Sequence, residues 1–140
     1  MHNVGAWLDP ITHSRVRAPR AYNVAVGGTG WDVLVAQCRA LAAMSPPPTH
    51  VAMICGTNSI NNAGSATGLL AEGKAAFTTA WQVLTGAGIV PITVIDPPRQ
   101  WLDTTLTAAV KRSLWAEWIN WQRLAAPAYG SLVLDAVWRL

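Results

Sequence analysis

Short apolar runs, each closed by a loop of turn-forming residues, constrain this chain more than any other feature. Val51-Ala52-Met53-Ile54 runs into Cys55-Gly56-Thr57-Asn58-Ser59-Ile60-Asn61-Asn62, and Ile89-Val90-Pro91-Ile92-Thr93-Val94-Ile95 into Asp96-Pro97-Pro98-Arg99. Ala21-Tyr22-Asn23-Val24-Ala25-Val26 runs into Gly27-Gly28-Thr29-Gly30, and Ser131-Leu132-Val133-Leu134 lies near the end. Runs this short and mostly apolar read as strands, and the 50–55 run, without a polar alternate, reads as a strand of a parallel sheet.

Between these runs the apolar period changes to that of a helix. Trp31, Leu34, Val35, Cys38, Leu41 and Ala42 share one helical face, and Ser45-Pro46-Pro47-Pro48 stops that helix because consecutive prolines lack the N–H it needs. Leu69, Leu70, Phe77, Trp81 and Leu84 mark a second helix over 66–85, ended by Gly86 and Gly88. Leu106, Val110, Leu114, Trp118, Trp121 and Ala125 mark a third over 104–125. Trp115, Trp118 and Trp121 at helical spacing read as packing rather than as an aromatic binding stripe. With strands at 21–26, 50–55, 89–95 and 131–134, the order predicts an open α/β sheet joined by right-handed crossovers. In such sheets ligands bind beyond the carboxyl ends of the strands, so the three unusual loops gather on one edge.

Composition excludes several classes. At 140 residues, 51% hydrophobic and 12% charged, the chain suits one domain with a real core rather than a disordered segment. No apolar run approaches the roughly 18 residues of a membrane helix, and the first 20 residues carry no signal-peptide-like stretch, which leaves the compartment open. The net charge of +3, with Arg15, Arg17 and Arg20 clustered near the start, is too weak a signal for nucleic acid. Cys38 and Cys55 are too few for a disulfide framework or a zinc site and read as small buried hydrophobes.

The loops allow two chemistries. Gly28-Thr29-Gly30-Trp31-Asp32-Val33 begins like a dinucleotide fingerprint, but it lacks the third glycine, and Met44-Ser45-Pro46-Pro47-Pro48 stands where an acid is expected. The other chemistry is anion binding. Gly28 can offer a backbone N–H uncrowded by a side chain, and Asn58 can offer its amide from the neighbouring loop. Two such converging donors make the oxyanion hole that acyl transfer requires.

Tyr22 to Gly30 followed by a helix, with Ile54-Cys55-Gly56-Thr57-Asn58-Ser59 about 30 residues later, resembles the second and third sequence blocks of the SGNH (GDSL-type) hydrolases. Asp96-Pro97-Pro98-Arg99 is more loosely similar to family members. The resemblance spans roughly residues 21–138 and implies a three-layer α/β/α sandwich with a flavodoxin-like parallel sheet. It implies covalent acyl transfer through a Ser–His pair on a small ester substrate, an acyl lipid or acetylated sugar, with no metal or organic cofactor. Gly28 and Asn58 take the places of the oxyanion-hole donors.

The chain departs from the family at both ends of its pattern. None of Ser14, Ser45, Ser59, Ser65, Ser113 and Ser131 follows Gly-Asp, so no nucleophile is assigned. Asp135-Ala136-Val137-Trp138 has Trp where a D-x-x-H histidine would stand, and His2, His13 and His50 all lie early, so no general base is assigned either. Ser14 beside His13 makes no pair, since nucleophile and base must meet in space. The chain therefore reads as a single, partial domain over 1–140, with about four strands and three helices. Without the family's central first strand, unpaired edges at 21–26 and 50–55 are expected to leave it marginally stable and prone to self-association. The rival readings are a non-catalytic relative that binds an acyl or glycan ligand and a nucleotide-binding domain.

Overall fold

The computed structural model describes residues 24–96 and 99–135. Three parallel strands, β1 (His50–Met53), β2 (Val90–Ile95) and β3 (Leu132–Asp135), lie in that spatial order. The helices are α1 (Leu34–Ala42), a short α2 (Thr57–Asn61), α3 (Leu69–Gly86) and α4 (Ala108–Ala125), which runs on into a 3-10 turn, Ala126–Tyr129. This is the open parallel α/β sheet that the alternating pattern predicts. The expected strand at 21–26 is the exception. Residues 21–23 lie outside the described residues, and Val24–Val26 forms no strand. Side chains occupy its carbonyls instead: Gln37 Nε2 donates to Val24 O at 2.9 Å and Thr29 Oγ1 to Val26 O at 2.7 Å.

Register places Met53, Thr93 and Val133 side by side on one face of the sheet, and the helices pack there. Cys38 Sγ of α1 lies 3.7 Å from Met53 Sδ, and Trp81 Nε1 of α3 donates to Thr93 Oγ1 at 2.9 Å. Thr93 Oγ1 in turn shares a 2.8 Å bond with Ser131 Oγ, which reaches Pro91 O. This buried polar chain satisfies the indole and ties α3 to two strands, since a polar group taken from water must find a partner inside. It also explains how Pro91 sits in the central strand: pairing with β3 starts one residue later, at Ile92, and the Pro91 carbonyl is held by the Ser131 hydroxyl.

An aromatic cluster fills the space between α3 and α4. Trp118 lies against Trp31, Phe77 and Trp121, and Trp81 stacks on Trp121 and Tyr129. Phe77, Trp81 and Trp118 are fully buried, and Trp115 and Trp121 pack half-buried against them, so the tryptophans of α4 serve packing, as their spacing predicts. The predicted buried stripe of α4 is nonetheless displaced. Lys111, Trp118, Ile119 and Gln122 are buried, while Val110 is exposed. The helix starts later than its apolar period suggests because Asp103 Oδ1 takes the Ala108 N–H at 2.6 Å and Thr107 caps Val110 N. Lys111 and Gln122 disguise the stripe, because hydropathy alone assigns both to solvent.

The opposite face of the sheet carries Ile54, Leu132 and Leu134, which are 46%, 55% and 54% exposed. The described residues thus supply the sheet and one helical layer of an incomplete α/β sandwich.

Candidate functional site

A cavity of about 380 Å³ opens where β1 and β2 end, at the carboxyl edge of the sheet. Its walls come from the three loops that sequence analysis singles out: Thr29 from the first, Ile54 to Asn58 from the second, Asp96 and Arg99 from the third.

The first two loops are joined directly. Asn58 Nδ2 donates to Thr29 O at 3.1 Å, and Trp31 N donates to Ser59 Oγ at 3.1 Å. Gly30 makes that closeness possible. A Cβ built on Gly30 would stand 2.0 Å from Ser59 Oγ, so any larger residue would displace that hydroxyl from the Trp31 N–H and crowd the two loops. The second loop leaves β1 through Gly56, whose φ of 132° belongs to the region that L side chains avoid. A Cβ there would fall 2.3 Å from Trp118 Nε1, the group that donates to Cys55 O at 3.2 Å. The aromatic core therefore sets the position of the strand exit, and the exit sets Asn58.

The two predicted oxyanion donors stand as follows. Asn58 lines the cavity, half-buried; one amide proton serves Thr29 O, and a primary amide carries a second. Gly28 is exposed at φ 82°, one residue outside the cavity wall, with no acceptor for its N–H among the described residues. Gly30 is different, since its N–H already bonds Asp32 Oδ1 at 3.1 Å.

The third loop brings charge. Asp96 Oδ2 accepts from both the hydroxyl and the N–H of Thr57. Burial pushes the Asp96 carboxyl above the ordinary carboxylate range, against the opposing pull of those Thr57 bonds and of the Arg99 charge. Arg99 lies 5.6 Å above the Trp101 ring. Its loop is fastened to α4 by Lys111 Nζ, which donates to Leu102 O at 3.0 Å and Thr104 Oγ1 at 2.8 Å. Sequence reasoning marks this loop but assigns no role to Asp96, Arg99 or Thr57. The available signal is Asp followed by two prolines: neither Pro97 nor Pro98 has an N–H, so the carboxylate cannot turn back on its own loop.

The structure brings no Ser–His pair together among the described residues. Ser59 Oγ accepts from Trp31 N, Ser65 Oγ from Thr67 N, and Ser131 is locked in the buried chain with Thr93. His50 bonds Thr49 Oγ1 at the opposite end of β1, about 16 Å from Cys55 at the rise of a strand. Ser14, His2 and His13 lie outside the described residues, as does Trp138. Asp135 at the end of β3 pairs with Arg123 at 2.7 Å. The Cys55 thiol borders the cavity, but burial and the nearby Asp96 raise its pKa to about 12, so it is protonated at neutral pH and a poor nucleophile. Among the described residues no group of three or more His, Cys, Asp or Glu side chains converges to hold a metal, and no helix is long and apolar enough to cross a membrane. Comparison of the chain with protein-family models, curated proteins and solved structures gave no match.

Proposed function

We propose that this chain is an SGNH-type ester hydrolase domain, acting on acyl or acetyl-sugar esters, in which Gly28 and Asn58 hold the oxyanion. The observation that carries the proposal is the bond from Asn58 Nδ2 to Thr29 O. It fixes the Asn58 amide at the cavity and ties the second loop to the residue next to Gly28. One amide proton orients the side chain, and the other, with no acceptor among the described residues, can meet a developing negative charge. Preorganised donors of this kind stabilise the transition state without reorganising during the reaction, and removing one costs on the order of 10²–10³ in turnover. Arg99 adds positive charge at the same cavity.

The donors bind charge but do not create it, so the test is one of binding. Methylphosphonate copies the charged tetrahedral centre of acyl transfer and can be titrated by calorimetry. Saturable binding is expected, weakened at least tenfold by Asn58→Ala, as suits loss of a charge-assisted hydrogen bond of about 1.5–3 kcal/mol. Equal binding by the two proteins would remove Asn58 from the role.

A second reading, a binding module that holds an acyl or glycan ligand without turnover, is favoured by the lack of a Ser–His pair among the described residues. The readings part on the transition-state mimic. Methylphosphonate binding that depends on Asn58 belongs to the oxyanion hole; saturable binding of an acyl or glycan ligand with no methylphosphonate binding belongs to the module. Fluorophosphonate labelling of a mapped serine would reveal a nucleophile that neither reading assigns to this chain.

A further inference from the structure

Asp96 and Arg99 line one cavity with opposite charges, yet no ion pair joins them. Arg99 is held away by its seat above Trp101, in a loop that buried Lys111 fastens to α4. Asp96 is held from the other side, because Thr57 places two hydrogen bonds on Oδ2. Oδ1 has no donor among the described residues, and Pro97 and Pro98 have no N–H to give. Asp96 lines the cavity, so a ligand group that brings a donor has an oxygen there to bond. Arg99 offers the complement, since guanidinium N–H groups only donate.

A ligand that satisfies both must donate at one point and accept at a neighbouring one. Adjacent hydroxyl groups do this without carrying charge. An anion seated between Asp96 and Arg99, away from Asn58, would face the Asp96 carboxylate, and a cation seated there would face Arg99. A long acyl chain finds little apolar wall here beyond Ile54 and Cys55. The volume of about 380 Å³ lies at the small end of ligand pockets, with room for one small molecule.

We propose that Asp96 and Arg99 are specificity-determining residues that bind neighbouring hydroxyls of a polyol or sugar, Asp96 Oδ1 accepting from one and Arg99 donating to the other. The inference rests on reading this cavity as the ligand site, and it assigns the hydroxyl-bearing part of the ligand to the β2 loop. The acyl part then falls to the Gly28 and Asn58 side. Within the hydrolase reading, the alcohol half of the ester is a polyol or sugar.

The test titrates the 140-residue chain, ¹⁵N-labelled, with methyl α-glucoside, glycerol, 1-propanol and glycine, following the Asn58 side-chain amide and the Arg99 Nε–H by NMR. Saturable shifts are expected with the glucoside and glycerol, and none with 1-propanol. Asp96→Ala and Arg99→Met should each weaken glucoside binding at least tenfold. Asp96→Asn keeps an acceptor for the Thr57 hydroxyl, so it guards against a variant that fails through misfolding, and it should weaken binding three- to tenfold. Unchanged glucoside affinity in Arg99→Met and Asp96→Asn would overturn the proposal, as would no binding of either polyol. Binding of glycine alone would also overturn it, by assigning the pair to a zwitterion. The oxyanion reading fails separately: methylphosphonate binding then ignores Asn58 while glucoside binding still depends on Asp96 and Arg99.

Discussion

Gly30 offers the sharpest test of how the site is assembled. In Gly30→Ala the new Cβ would stand 2.0 Å from Ser59 Oγ and 3.2 Å from Ser59 Cβ. The nearer atom is the end of a short side chain, so it can rotate, but it then abandons the Trp31 N–H that it holds at 3.1 Å. Losing that bond costs about 1 kcal/mol. A displaced rotamer in this half-buried position adds about 1 kcal/mol. Gly30→Ala should therefore destabilise by about 2 kcal/mol, a fall in Tm of roughly 6–10 °C for a chain of this size. Ser59→Ala alone should cost about 1 kcal/mol, for the bond only. The double variant has lost the bond and the clashing oxygen together, and the 3.2 Å Cβ approach needs a shift of only tenths of an ångström. Its cost should be near that of Ser59→Ala, leaving an interaction of about 2 kcal/mol between two substitutions that would otherwise add. Thermal unfolding by circular dichroism measures all four proteins. Methylphosphonate affinity should fall in Gly30→Ala, because the spread loops misplace Asn58, and partly recover in the double variant. Strictly additive Tm losses, or a Gly30→Ala protein as stable as wild type, would falsify the idea that this contact sets the loop spacing. Gly56→Ala should have no comparable rescue: its strained φ alone costs about 1–3 kcal/mol, and the blocked ring belongs to the buried Trp118.

Three further outcomes are expected. Burial raises the folded-state pKa of Asp96 above its unfolded value, so its contribution to stability is full below the unfolded pKa and is lost as pH rises through the folded one; Asp96→Asn should raise Tm at pH 7, with the gain shrinking as pH falls towards 3.8, and an equal shift at all pH values would contradict the cause assigned. The Gln122 side chain is buried with neither Nε2 nor Oε1 bonded among the described residues, so Gln122→Leu should stabilise by about 1–2 kcal/mol in urea unfolding, and a loss of stability would point to a partner for the amide. Leu132 and Leu134 project from the open face of the sheet, so Leu132→Lys with Leu134→Lys should lower concentration-dependent self-association in analytical ultracentrifugation, whereas unchanged association would place the contact elsewhere.

Much of this molecule is legible in its sequence, for reasons that differ by element. The strands 50–53 and 90–95 are legible because they are short, mostly apolar runs between turn formers, interrupted only by His50 and Thr93. Helices 34–42 and 69–86 show their buried faces because Leu34, Cys38, Leu41, Leu70, Phe77, Trp81 and Leu84 recur at helical spacing on a single buried side. The carboxyl-edge site follows from the alternation of strand and helix, so Asn58 could be placed beside the first glycine loop without coordinates.

Other features depend on contacts between distant residues. Val24–Val26 has strand composition, but a strand exists only where a neighbour completes its ladder, and here Gln37 and Thr29 take its carbonyls. The buried face of 108–125 includes Lys111 and Gln122, whose polarity hides it; the end of the Lys111 side chain is satisfied by Leu102 and Thr104, which only the fold brings near. The pairing of Asp96 with Thr57 spans 39 residues, and the separation of Asp96 from Arg99 depends on where Trp101 packs. Sequence by itself determined the alternation of strand and helix and the edge at which chemistry gathers, because hydrophobic period and turn chemistry are local properties of the chain. Tertiary structure alone decided which donor and which charge face one another across the cavity, because those distances are set by a tryptophan core assembled from residues far apart along it.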